Sequence, residues 1–132
     1  MLSRRSALIS TAALGITTLA LAPAFAASEQ AFDAKAFADA QKAGKPILIG
    51  IHAPWCPICA AQKPILSELM ADRKFSELAY FTIDFDSQKD LVRQFGAQKQ
   101  STLIAFKGSN ERARSVGDSK RESITTLVNK TL

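Results

Sequence analysis

Cysteine and histidine are scarce in this chain of 132 residues, which contains two cysteines, Cys56 and Cys59, and one histidine, His52. A fold held together by disulfides would need more cysteines, spread along the chain. A structural zinc site needs about four ligands, and one copy of this chain could supply them only by adding carboxylates to these three residues. The two cysteines therefore have to be explained as a pair.

Concentrated charge of one sign is also missing. The formal net charge is +5, and aromatic residues make up 8% of the chain. Lysine and arginine are scattered, form no run and are not interleaved with aromatic residues, so binding of nucleic acid has little support.

Long hydrophobic runs are absent, because the main apolar segment, residues 7–22, is diluted by serine, threonine and glycine. A membrane-spanning helix needs about 20 predominantly apolar residues. The stretch follows Arg4 and Arg5 and precedes small residues at 24–26, an order typical of a removable export signal. We predict cleavage between Ala26 and Ala27, with a retained membrane anchor as the alternative.

The residues around the two arginines, Ser3-Arg4-Arg5-Ser6-Ala7-Leu8, are similar to the twin-arginine export motif, although Ala7 stands where that motif favours Phe. Export predicts a bacterial periplasm, which is an oxidising compartment.

The chain then divides into a signal peptide, residues 1–26, and one domain, residues 27–132. A chain of that size buries roughly two-thirds of its unfolded surface, which excludes a second domain or a repeat array.

The domain alternates between helical and strand patterns. Apolar residues recur at helical spacing in some segments, and short continuous apolar runs mark buried strands in others. The predicted order is α-β-α-β-α-β-β-α, which favours a mixed sheet between helices. The helices are expected at 32–43, 56–72, 87–95 and 119–130, and the strands at 47–51, 79–85, 102–106 and 112–116.

The chemistry is predicted at Trp55-Cys56-Pro57-Ile58-Cys59, between a buried strand and a helix. Two cysteines with two residues between them can close a small disulfide, and the unpaired N–H groups of the helix N-terminus stabilise a thiolate on the first. Cys56 is therefore the expected nucleophile, and Cys59, one turn further and more buried, the resolving thiol. A structural disulfide, a zinc site and cysteines without a role are the alternatives.

From Gly44 to about Gly117 the chain resembles the thioredoxin superfamily. The strand, the Trp-Cys-x-x-Cys turn and the helix stand in the family's register, Pro64 lies where the family kinks that helix, and 102–107 match a later strand. The resemblance implies a thioredoxin fold, with a central mixed four-stranded sheet and helices on both faces. It also implies thiol–disulfide exchange with no cofactor beyond the Cys56–Cys59 disulfide.

Three positions depart from the family. Ser101 stands where the family has a cis-proline, and the Gln100–Ser101 bond is expected to be trans because a cis bond before a non-proline residue costs roughly 3–4 kcal/mol. Gly50 stands in place of the family's buried acidic residue, and the lysine that often accompanies it falls at Thr82. Cys59 must then be deprotonated in another way, through water or His52.

Partner binding is expected at five residues around the cysteines, Trp55, Pro57, Ile58, Ser101 and Thr102, with His52 as a modulating residue and no metal ligand assigned. The favoured function is a periplasmic thiol–disulfide oxidoreductase. As a monomer, it would act on cysteine-containing exported proteins and exchange electrons with a membrane-bound or soluble redox partner. The alternatives are a module that binds a metal or an iron–sulfur cluster, motivated by Ser101 and the twin-arginine motif, and a docking module that only keeps the fold.

Overall fold

A computed structural model describes Ala20 and residues 27–132. The predicted signal peptide and its twin-arginine motif lie outside the described residues except for Ala20, and both stay predictions. In chain order the elements are β1 (Ser28–Ala31), α1 (Ala34–Lys42), β2 (Pro46–His52), α2 (Pro57–Ala71), a short 3-10 helix (Arg73–Phe75), β3 (Ala79–Asp84), α3 (Lys89–Gln94), β4 (Thr102–Lys107), β5 (Asn110–Val116) and α4 (Arg121–Asn129).

The central sheet is mixed and has the strand order β1-β3-β2-β4-β5. Strands β1, β3 and β2 are parallel, whereas β4 is antiparallel to β2 and β5 is antiparallel to β4. The thioredoxin fold expected from the sequence is confirmed, but the count of four strands is wrong by one. The missed strand, β1, is an edge strand whose four residues are all exposed, so its sequence carries no apolar pattern.

Strand β2 lies at the middle of the sheet, and its residues 46–51 are all buried. A strand covered on both faces lacks the polar alternation of a half-exposed strand, which is why this run is continuously apolar. On one face it packs with α1 and α3, and on the other with α2 and α4. Its carboxyl end leads into the turn that carries the cysteine pair.

The helix boundaries follow local signals. The Asp33 carboxylate caps α1 by accepting a hydrogen bond from the Ala36 N–H at 2.7 Å, so the helix begins two residues later than the apolar pattern suggests. Helix α2 continues through Pro64 as one helix of 15 residues. Within residues 27–132, no helix has the length and apolar character needed to cross a membrane.

Candidate functional site

The cysteine pair lies at the turn between the end of β2 and the start of α2. The Cys56 N–H donates to the Ala53 carbonyl at 3.2 Å, which closes the turn, and Pro57 occupies the start of α2. Proline is favoured there because the missing N–H would have no partner inside the helix. Cys56 is the N-cap, and its Sγ accepts a hydrogen bond from the Cys59 N–H at 3.1 Å. Donors aimed at this sulfur favour its thiolate.

Cys56 and Cys59 form a disulfide, with their Cα atoms 5.2 Å apart. The expectation that Cys59 is the more buried of the two is wrong: Cys56 is 3% exposed, whereas Cys59 is partly exposed. A cavity of about 380 Å³ opens beside the first turns of α2 and reaches both cysteines. It is lined by Glu29, His52, Ala53, Pro54, Cys56, Cys59, Ala60, Gln62, Lys63, Leu66, Tyr80 and Asp84.

Gly50 lies against Tyr80, which lines the cavity beside the cysteines. A Cβ atom at Gly50 would lie 2.7 Å from the Tyr80 hydroxyl oxygen, so the glycine makes room for the tyrosine ring. Burial raises the pKa of Tyr80 well above its usual value, so the hydroxyl stays neutral. Thr82 does lie opposite Gly50 in the sheet, but its hydroxyl donates to the Gln30 carbonyl at 3.4 Å.

His52 and Asp84 are register partners at the carboxyl ends of β2 and β3, and both line the cavity. The pKa of Asp84 is below its usual value, first because the Ser87 N–H and hydroxyl donate to the carboxylate and further because of the nearby His52. The Asp84 Oδ1 also accepts from the Asp86 N–H at 3.0 Å. Asp84 thereby shapes the turn after β3.

This turn connects with the surface near the disulfide, because the Trp55 indole N–H donates to the Asp86 carboxylate at 2.7 Å. Trp55 nevertheless leaves 57% of its surface exposed, and Ile58 and Val116 are also exposed. Ile58 Cδ1 would lie 3.8 Å from a Cβ placed on Gly117, the residue after Val116. Exposed apolar side chains therefore flank Cys56 in the chain at Trp55 and Ile58, and Val116 adjoins the glycine that approaches Ile58.

Ser101 and Thr102, both predicted to contact partners, are buried. No cis peptide bond occurs in the described part of the chain, so Gln100–Ser101 is trans, and Ser101 has φ 58. Both hydroxyls are used internally: Ser101 donates to the Gln100 carbonyl at 2.5 Å, and Thr102 donates to the Lys99 carbonyl at 2.7 Å. A partner that reaches this segment would meet its backbone.

Two buried residues with polar side chains at the site were missed from the sequence, Tyr80 and Gln62. Both sit at positions of apolar periodicity, Tyr80 inside a strand and Gln62 three residues before the buried Ile65 on α2. A polar atom at a core position was the available signal, since buried polar groups are generally hydrogen-bonded or functional. Among residues 27–132, no group of three or more His, Cys, Asp or Glu side chains is arranged to hold a metal ion.

Comparisons with known proteins agree with this geometry. The family model described as thioredoxin matches residues 25–130. A curated thioredoxin of Chlamydia muridarum is 37% identical over 97 residues, which are 71% of this chain and 89% of that protein. The bifunctional thioredoxin reductase/thioredoxin of Mycobacterium leprae is 32% identical over 85 residues, 64% of this chain but 18% of its own length.

Among solved structures, Trxlp from Edwardsiella tarda EIB202 superposes with a TM-score of 0.74 at 34% identity, covering 76% of this chain and 98% of that one. The chain belongs to the thioredoxin family. It is a thiol–disulfide oxidoreductase, whose redox group is the Cys56–Cys59 disulfide at the N-terminus of α2.

Proposed function

We propose that this protein is exported to the periplasm and exchanges disulfides with the cysteines of other exported proteins. The observation that carries the proposal is the combination of a Cys-x-x-Cys disulfide at a helix N-terminus with a leader of basic, apolar and small residues. Cysteine pairs of exported proteins are the disulfide substrates that an oxidising compartment offers.

Cys56 is the attacking residue in this proposal. Its thiolate, favoured by the Cys59 N–H and the N-terminus of α2, attacks one sulfur of a partner disulfide. A mixed disulfide forms, and the partner's other sulfur leaves as a thiolate that takes up a proton. The Cys59 thiolate then attacks the Cys56 sulfur, which restores the Cys56–Cys59 disulfide and releases the second partner thiol. Two electrons pass to the partner, and the reverse sequence oxidises a partner dithiol.

The partner is proposed to dock on the apolar surface formed by Trp55, Ile58 and Val116. Exposed apolar side chains grouped around a reactive sulfur suit an unfolded or extended segment, whose own apolar residues they can cover. The Asp86 carboxylate holds the Trp55 indole, so this part of the surface is ordered before a partner arrives. Pro57 adds a rigid edge between the cysteines.

A membrane-bound or soluble redox partner would renew the active form, and the protein is proposed to act as a monomer. The direction of electron flow follows from the reduction potential of the pair. A value near −250 mV or below places the protein with reductants, and one above about −180 mV with oxidases or isomerases. Proline as the first residue between the cysteines favours a less negative reduction potential, away from that of a strong reductant.

The test uses the full chain expressed in a Gram-negative host. The Cys59→Ser variant is expected to accumulate mixed disulfides with periplasmic proteins, because Cys56 attacks and nothing resolves the product. The Cys56→Ser variant is the matched control and is expected to trap none. Trapped partners are identified after non-reducing electrophoresis of the periplasmic fraction. Equal trapping by both variants, or retention of insulin reduction by Cys56→Ser, would contradict the assigned roles.

The same preparations test export. N-terminal sequencing of the periplasmic protein is expected to begin at Ala27, and the paired Arg4→Lys and Arg5→Lys substitutions are expected to abolish accumulation if the twin-arginine route is used. A chain that stays in the cytoplasm with residues 1–26 attached would refute the periplasmic proposal, while leaving the exchange chemistry intact.

A further inference from the structure

Gln62 is a buried amide at a position that the helix pattern reserves for an apolar side chain. It lies on the same face of α2 as Ile65 and Leu66 and is 3% exposed. A side-chain amide loses its hydration on burial and is retained in a core only where it gains hydrogen bonds in return. The bonds that Gln62 makes therefore indicate its role.

The two amide hydrogens of Gln62 reach two separate segments. Its Nε2 donates to the Asp118 carbonyl at 2.7 Å and to the Ser101 carbonyl at 3.3 Å. The Ser101 carbonyl also accepts the Gly117 N–H at 3.1 Å. One side chain thus joins α2 to the residues that precede β4 and to those that follow β5.

The segment held in this way adopts an unfavourable backbone conformation. Ser101 has φ 58, in the left-handed region that residues with a Cβ rarely adopt. Such a conformation persists when the surrounding structure supports it. Ser101 lies close to the reactive pair, because its carbonyl is bonded to Gly117, which in turn approaches Ile58 between the two cysteines.

We propose that Gln62 is a positioning residue for disulfide exchange with protein partners: its amide fixes the trans Gln100–Ser101 segment beside the cysteines, whose backbone an extended partner would contact. We call the two hydrogen bonds from Gln62 to the Ser101 and Asp118 carbonyls the clamp. The clamp restrains the backbone at position 101, which a conformationally rigid residue there would restrain by itself. This inference rests on the proposed docking of extended partners at the site. It predicts that loss of Gln62 slows disulfide exchange with protein partners and leaves exchange with small disulfides unchanged.

The test compares two disulfide substrates in the full chain, insulin and the small aromatic disulfide 5,5′-dithiobis(2-nitrobenzoate). Gln62→Leu keeps the size of the side chain and removes both donors, and Gln62→Met does the same with an unbranched chain. We expect kcat/KM for insulin to fall about tenfold in both variants, mainly through KM, while the rate with the small disulfide stays within twofold. Gln94→Leu makes the same chemical change at the exposed end of α3 and is expected to alter neither rate.

Retention of full insulin activity in both variants would overturn the proposal, and so would an equal loss with the two substrates, whether it comes from unfolding or from a changed thiol. A parent protein that reduces the small disulfide but not insulin would instead contradict the proposed function. The Gly117 amide gives a direct readout of the clamp: its hydrogen exchange is expected to be at least fivefold faster in Gln62→Leu. Unchanged exchange there would overturn the clamp even if activity fell.

Discussion

The two faces of the central sheet are packed in different ways. On the face covered by α1 and α3, five phenylalanines form an aromatic cluster with ring centroids 5.4 to 6.3 Å apart, made of Phe32, Phe37, Phe81, Phe95 and Phe106. On the face covered by α2 and α4, the sheet has Gly50 in its middle, a cavity of about 380 Å³ and two buried polar side chains, Gln62 and Tyr80.

The difference separates stability from reactivity. Close-packed aromatic rings bury much apolar area and add favourable edge-to-face contacts, so the first face contributes mainly to the free energy of folding. The second face leaves a cavity beside the disulfide. Its Gln62 side chain donates hydrogen bonds to the backbone carbonyls of Ser101 and Asp118. A change among the five phenylalanines should therefore lower the free energy of unfolding and leave the reduction potential of the disulfide unchanged.

The largest expected effect is the loss of stability in Phe37→Ala. Phe37 packs against four other rings, and deleting a buried phenylalanine side chain costs about 3–5 kcal/mol. Denaturant unfolding monitored by circular dichroism measures this change. The reduction potential of the folded protein should equal that of the parent, and a shifted potential would show that the two faces are not separate.

A smaller effect is expected for Gly50→Ala on the other face. The new methyl group would collide with the Tyr80 ring, whose hydroxyl oxygen and Cε2 lie 2.7 and 2.9 Å from the Cβ position. Overpacking of this kind costs typically about 1–3 kcal/mol. Unfolding experiments should show part of the loss recovered in the double variant with Tyr80→Phe, which removes the nearest atom. Additive effects of the two substitutions would rule out this collision as the cause.

The smallest effect is expected at Asp84, in the pH dependence of stability. Its carboxyl pKa is lower in the folded protein than the ordinary value of 3.8, because Ser87 donates to the carboxylate. The charged form therefore stabilises the fold above that pH, and the contribution is lost as the pH falls through the folded pKa. In Asp84→Asn the decline between pH 5 and pH 2 should be shallower than in the parent. An identical acid limb in thermal unfolding would exclude this contribution.

Much of the fold followed from local patterns, and the exceptions have physical causes. Short segments rich in apolar residues located β2, β3 and β4, and the run in β2 is continuous because that strand is buried on both faces. Strand β1 was not predicted from the sequence. It is an exposed edge strand that main-chain hydrogen bonds hold to β3, so its side chains carry no apolar pattern. Strand β5 was expected as a short strand but has seven residues and begins two residues earlier, at Asn110.

The candidate site divides in the same way. Cys56 and Cys59 were located by their spacing at a strand-to-helix transition, a signal carried by adjacent residues. The prediction of their relative burial was wrong, because the exposure of each sulfur depends on segments that meet only in the folded chain, and the cavity beside the pair is itself lined by four separate elements, β1, β2, α2 and β3. The role of Gln62 was missed because both of its partners are backbone carbonyls, 39 and 56 residues away in the chain.

The sequence by itself determined the class of fold, the identity of the redox pair and the absence of a proline at position 101, because each depends on residue types at short spacing. Only the tertiary structure decided which cysteine the solvent reaches, that Tyr80 occupies the space beside Gly50, and how the Ser101 segment is held. These features arise where segments distant in the chain meet, and contact between such segments depends on the packing of the sheet faces.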